Sequence, residues 1–200
     1  MIKWFQKFFV LSLTALLFAC GGSVIPPNPL NKLKDKYKDA YRYTIILNDM
    51  DLNEDQYQHK YKVMTIQKDG TVDFEYTDWQ NVDDYTFAQQ EPNLGMEILS
   101  KDEKGRCNNL ATPPGFTFII NDSHYGFWDG IDVDDLSLDQ VNWKFHPPYK
   151  ELQHQLELDK VDISYEEYNQ FKNKFAYIRP FYGEKYHKDS TKYGTYSRHW

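Results

Sequence analysis

The chain has 200 residues, with 23 Lys and Arg against 30 Asp and Glu and a formal net charge of −7. Such an acidic balance does not suit nucleic acid or anionic lipid headgroups; it suits a basic protein, a cation or plain solubility. The only cysteines are Cys20 and Cys107, so there is no CxxC or Cys/His cluster to hold a structural zinc.

The first 21 residues are organised as a targeting segment. Met1 to Lys7 carries Lys3 and Lys7 and no acid. Phe8 to Ala19 is a run of 12 residues, apolar except for Ser12 and Thr14. That length fits the apolar region of a signal, whereas a membrane-spanning helix needs about 20 residues. The run stops at Leu17-Phe18-Ala19-Cys20 and drops into Gly21-Gly22-Ser23. This order resembles the lipobox signal of bacterial lipoproteins. The resemblance implies cleavage before Cys20, diacylation of its sulfur and acylation of its new amine with fatty chains such as palmitate. An ordinary cleaved secretory signal is the alternative. With Gly21 rather than Asp at the next position, the resemblance also implies sorting to the outer membrane. The periplasmic face is favoured and the cell surface stays open.

Four segments follow: a signal peptide at 1–19, a lipid-anchored tether and lead-in at 20–35, one globular domain at 36–178, and a basic Tyr/Lys-rich tail at 179–200. Losing Lys3 and Lys7 with the signal takes the net charge from −7 to −9. The prolines between Gly21 and Pro29 favour extended backbone over helix or ladder, and nine residues reach roughly 30 Å. An acylated Cys20 would leave Cys107 without a disulfide partner in the chain; an idle thiol is the expectation and a reactive one the alternative.

Within the domain, Tyr41–Leu47 reads as a strand ending at the Asn48-Asp49 turn signal. Tyr61–Tyr76 reads as a hairpin about a two-residue Asp69-Gly70 turn, which pairs Thr65 with Phe74 and Val63 with Tyr76. A short helix is expected near Tyr85–Gln90, and Met96–Leu99 fits a short strand or a helical turn. Phe116–Ile120 reads as a second strong strand, turned by Asn121-Asp122-Ser123 into Tyr125–Trp128. Val141–Phe145 alternates as a further strand. Tyr149–Ile163 fits neither period cleanly. Ser164-Tyr165-Glu166-Glu167 is a capping box that opens a helix to about Phe175, with Tyr168, Phe171 and Phe175 on its buried side. The pattern predicts an α+β fold, mainly antiparallel sheet with a C-terminal helix; all-β is the alternative.

Asp49, Asp51 and Asn53 match the opening of a calcium loop, but Glu54 stands where glycine belongs and Lys60 where the bidentate carboxylate belongs. An acidic turn is the better reading. The cluster Asp129, Asp132, Asp134 and Asp135 is the candidate for a hard cation such as calcium, with a solvated loop as the plainer expectation. Glu151-Leu152-Gln153-His154 has half of a metal motif and no second half. No H-E-x-x-H, G-x-S-x-G or phosphate-binding glycine loop is present, so no catalytic residue is singled out. Trp79, Trp128 and Trp143 could form a stacking platform for sugars or peptides, although aromatics at this density more often fill strand faces and cores. The expected function is a membrane-anchored binding or structural module that contacts a protein or glycan. The alternatives are an acidic immunity-type antagonist of a basic protein and a hydrolase of envelope polymers.

Overall fold

The computed structural model describes residues 28–130, 137–159, 161–172, 185–186 and 190–191. The fold is α+β, built on a mainly antiparallel sheet with a helix near its C-terminal end. Chain order is α1 (Pro29–Lys36), β1 (Arg42–Asn53), β2 (Gln56–Ile66), β3 (Val72–Tyr76), β4 (Gln80–Asn81), α2 (Asp84–Gln90), β5 (Glu97–Lys101), β6 (Cys107–Asn108), β7 (Gly126–Asp129), β8 (Asn142–Phe145), α3 (Lys150–Gln155) and α4 (Tyr165–Gln170). A small hairpin, β9 (Lys185–Tyr186) with β10 (Ser190–Thr191), falls in the basic tail.

The main sheet has six strands in the order β3-β2-β1-β5-β6, with β4 pairing β2 beside β3. Its spine is the β1–β2 hairpin. Glu54 and Asp55 both adopt positive φ (46° and 65°) between the paired residues Asn53 and Gln56. That is a type I′ turn, whose twist matches the strands it joins. The Asn48-Asp49 signal therefore does not end β1. The strand continues through a bulge between Leu47 and Asp49, which absorbs one residue and lets the ladder run on. The proposed calcium-loop residues Asp49, Asp51 and Asn53 are thus strand residues.

Both faces of the sheet are covered. Tyr43, Thr44, Ile45, Ile46 and Leu47 are consecutive and all buried, a continuous pattern that a strand with one wet face does not give. On one face, α1 seats Leu33 in the core, and the turn after it sets Tyr37 6.0 Å from the Tyr43 ring and receives Lys101 Nζ on the Lys38 and Ala40 carbonyls at 2.6 Å each. Pro29, read as the last tether residue, is instead the first residue of this helix, where its missing N–H costs nothing. Asn28 caps it by accepting from Leu30 N–H at 2.9 Å. On the opposite face lie α3, α4 and the 113–121 coil, where Phe116 meets Tyr168 and Phe171 at 5.7 Å each.

Two further expectations are corrected. Phe116–Ile120 is not a strand but a run of helical turns: Ile119 and Ile120 N–H both donate to the Gly115 carbonyl at 2.9 Å. Its buried side chains are Phe116, Ile119 and Ile120, at i, i+3 and i+4, so a helical period was hidden inside a short apolar run. The β2–β3 hairpin exists, but its register is one residue away from that expected. Met64 pairs with Phe74, Thr65 with Asp73 and Val63 with Glu75. The connection has three residues, Lys68-Asp69-Gly70, closed by Gln67 N–H to Thr71 O at 2.8 Å with Gly70 at φ +87°. A left-handed third residue is the hallmark of the three-residue hairpin loop, and one added loop residue inverts the faces of β3.

Elsewhere the elements fall near their expected places. The Ser164 hydroxyl accepts from Glu167 N–H at 3.1 Å, and Tyr168 and Phe171 are buried; Phe175 lies outside the described residues. Trp143 N–H to Ile163 O (2.9 Å) and Tyr165 N–H to Val141 O (2.8 Å) lay the start of α4 along β8. The unassigned 149–163 stretch forms α3 and a C-terminal cap. Glu157 takes positive φ (59°), with its N–H on His154 O (2.9 Å) and Leu158 N–H on Gln153 O (3.0 Å), a Schellman stop without glycine.

Candidate functional site

The described residues carry two polar centres of opposite character, one sealed and one open. The sealed centre is Glu97, on β5 and 1 % exposed. Its Oε1 accepts from Gly115 N–H at 2.8 Å, and its Oε2 contacts Thr112 Oγ1 at 2.9 Å and Thr117 Oγ1. The two hydroxyl oxygens are themselves 3.2 Å apart. Both threonine hydroxyls donate to Oε2, and Gly115 N–H donates to Oε1. Burial raises the carboxyl above its usual value, against the opposing pull of these donors. Burial lowers the pKa of the Lys172 ammonium, and the nearby Glu97 carboxyl pulls it the other way. Glu97 thereby ties the helical coil at 113–121 to the sheet, where the main-chain bridge between Glu97 and Thr112 ends the ladder.

His59 is a second sealed group. It lies on β2 with no exposed surface, its Nδ1 3.0 Å from Tyr61 Oη and the Phe87 ring 5.6 Å away. Burial pushes its pKa down to about 4, although Asp83 pulls it up, so the imidazole is neutral at pH 7.

The open centre is a groove of about 640 Å³ between β3 and α3. Val72, Phe74 and Tyr76 pair with Ile66, Met64 and Lys62, which puts them on the face that α3 covers. The far wall comes from Tyr149, Leu152 and Gln155, and the Asp69-Gly70-Thr71 turn closes one end. Lys62 sets the spacing of the two walls. Its side chain is 4 % exposed, and Nζ donates to Gln155 O at 2.9 Å and to Glu157 at 3.1 Å, so a strand residue grips the C-terminal end of α3. At the turn end, Tyr125 Oη donates to Gly70 O at 3.1 Å, and Tyr149 Oη lies 2.6 Å from His124 Nε2. Burial pushes the Tyr125 phenol up to about 12, so it stays a donor at any physiological pH. The His124 imidazole occupies the space that a Cβ at Gly70 would need.

The charged residues lining this groove are Asp69, Asp73 and Glu151, with no Lys or Arg among them. Asp69 is held below its usual range, chiefly by accepting from Thr71 N–H, so it is ionised at neutral pH. Phe74, Tyr76 and Tyr149 supply aromatic surface between the carboxylates, and Tyr76 is 50 % exposed.

The residues singled out from sequence lie elsewhere. Cys20, Asp132, Asp134 and Asp135 lie outside the described residues; Asp129 is exposed at the end of β7, paired with Asn142. Among the described residues no group of three His, Cys, Asp or Glu side chains is arranged to hold a metal. Cys107 is an exposed free thiol on β6. Glu151 and His154 of the half metal motif do not converge: Glu151 accepts from Gln155 at 3.1 Å and His154 meets Asp159 at 2.9 Å. The three tryptophans do not form one platform. Trp143 is buried beneath Trp128 at 5.1 Å, while Trp79 stands apart with Lys60 5.9 Å from its ring. Among the described residues, no helix is long and apolar enough to cross a membrane. Comparison with protein families, with curated proteins and with solved structures found no match.

Proposed function

We propose that the chain is an envelope lipoprotein, anchored through lipid on Cys20 at the periplasmic face of the outer membrane, and that its domain works by binding. The groove between β3 and α3 carries this reading. It combines aromatic surface with carboxylates that have no cationic partner within the lining, the composition of a site awaiting a ligand. The buried ionisable groups Glu97 and His59 lie in the core instead, where Thr112, Thr117, Gly115 and Tyr61 engage them. The ligand is a protein or glycan within tether reach of the bilayer. An acid-only lining favours the more specific form of the reading, in which the domain restrains a basic protein.

The test is chemical cross-linking in intact cells followed by capture of the full chain, comparing wild type with Cys20→Ala. The expected result is radioactive palmitate incorporation and a stoichiometric partner with wild type, and loss of both with the variant. Palmitate labelling of Cys20→Ala would overturn the anchor. A wild-type chain that captures nothing, yet turns over an envelope polymer with activity lost on one Asp or Glu substitution, would replace binding with hydrolysis.

A further inference from the structure

We propose, resting on the binding reading above, that the outer edge of β3 is a strand-addition site for a basic, extended segment of a protein partner. The sheet ends at β3 among the described residues. The direction of its free main-chain groups follows from the ladder. Gln67 N–H donates to Thr71 O at 2.8 Å and Thr77 N–H to Tyr61 O at 2.9 Å. In an antiparallel pair, hydrogen-bonded positions recur every second residue, so Thr71, Asp73, Glu75 and Thr77 turn their N–H and C=O toward β2. Val72, Phe74 and Tyr76 therefore turn theirs outward. These same residues floor the groove. An incoming strand would meet a row of main-chain donors and acceptors that no described residue engages and, on one of its faces, the Phe74, Tyr76 and Tyr149 surface.

The occupant is identified by charge. Every charged residue in the lining is an acid, and Lys62, whose ammonium lies 5.2 Å from the Tyr76 ring, is already committed to Gln155 and Glu157. Asp73 pairs with Thr65 and so points to the other face of the sheet from Phe74. Asp73 and Glu151 thus flank an added strand from its two sides. A segment with Lys or Arg at alternating positions places cations against Asp73, and apolar or aromatic side chains between them enter the groove beside Tyr76. The five residues of β3 offer a docking length of about 17 Å, enough for a short segment of a partner. An acidic segment would meet like charge at three places, which costs affinity and disfavours wrong partners. Natural sheets protect exposed edges with charge; here Glu75 is already paired with Lys36, while the groove lining carries only acids, which disfavours acidic strands and favours basic ones.

The experiment uses the full chain purified in detergent and a fluorescein-labelled, end-capped heptapeptide that alternates lysine with valine. Fluorescence anisotropy should show saturable binding. Asp73→Lys combined with Glu151→Lys should weaken it about ten-fold or more. The same peptide N-methylated on alternate residues, which keeps its charge and removes main-chain donors, should weaken to a similar extent. A glutamate–valine peptide should not bind. The methylated peptide keeps the proposal open to refutation even where the double variant fails to fold. Absence of saturable binding, or equal binding of both lysine peptides, would overturn strand addition. The two proposals separate in cells. If wild type and the double variant cross-link one partner equally, the binding module stands and the β3 site falls; if neither captures anything, both fall.

Discussion

Glu97 and the β3–α3 groove are two acidic places in one small domain, and they are acidic in opposite ways. Glu97 is the one buried acid among the described residues, and three groups, Gly115 N–H and the Thr112 and Thr117 hydroxyls, are arranged around it. Asp69, Asp73 and Glu151 stand at the surface around the rim of the groove, Asp73 on the opposite sheet face from Phe74, with no Lys or Arg among the lining residues. A buried acid has to be satisfied within the fold, because its desolvation is compensated by nothing else. A surface acid carries no such obligation, so acids at the rim of an aromatic groove are free to meet a ligand. The molecule separates the acid that builds it from the acids that can serve it.

The largest effect expected from breaking this contrast is at Glu97. Replacement by alanine strands Gly115 N–H and two threonine hydroxyls in the core and should cost about 4 kcal/mol in urea unfolding. Glu97→Gln should cost about 1 kcal/mol or less, because the amide carbonyl still accepts from Gly115 and the threonine hydroxyls can turn to accept from the NH₂. The folded pKa is raised, so the native state holds this proton more tightly than the unfolded chain does. The contribution of Glu97 is full below the usual glutamate value of 4.5 and is lost as pH rises through the raised value. The difference between wild type and Glu97→Gln should therefore move against wild type as pH increases from 4.5. A difference that stays constant would mean that Glu97 is ionised throughout.

His59 gives the opposite sign. Its folded pKa is lowered from 6.5 to about 4, so its contribution is full above 6.5 and is lost as pH falls toward 4. Between pH 7 and pH 4.5, wild type should lose about 2–3 kcal/mol more than His59→Gln, measured by urea unfolding of both at each pH. Next in size is Gly70→Ala. It places a side chain at φ +87° and against His124, and should cost about 1–2 kcal/mol. The smallest effect belongs to the groove acids: Asp73→Lys with Glu151→Lys should leave the urea midpoint within about 0.5 kcal/mol of wild type. A large loss there would show that these carboxylates, like Glu97, belong to the fold.

Much of the fold was legible before any coordinates, because strands and caps are local. Ser164, Glu167 and the apolar residues at helical spacing sufficed to place α4, and the Asp69-Gly70 signal marked a real hairpin. What failed was decided by one backbone angle or by distant neighbours. Gly70 ends a three-residue loop rather than lying within a two-residue one, and that difference moved the register by one. Phe116–Ile120 has the composition of a strand, yet Gly115 at φ +78° opens helical turns and Glu97, far away in sequence, holds them. Asn48-Asp49 reads as a turn wherever a ladder does not continue past it, and the type I′ turn at Glu54-Asp55 made it continue. The groove left no trace in sequence. Its walls come from segments near residues 70 and 150, each ordinary alone, and only packing of α3 on the sheet through Lys62 brings Phe74, Tyr76 and Glu151 to one cleft.

The central claim is that β3 and its groove form the working surface, and amide hydrogen exchange followed by NMR tests it most directly. In the free protein, the amides of Val72, Phe74 and Tyr76 should exchange quickly, while those of Asp73 and Glu75 are protected by β2. Saturation with the lysine–valine heptapeptide should slow the first three by about ten-fold or more and leave Glu97 and its neighbours unchanged. Protection that arises elsewhere while Val72, Phe74 and Tyr76 continue to exchange freely would contradict the account.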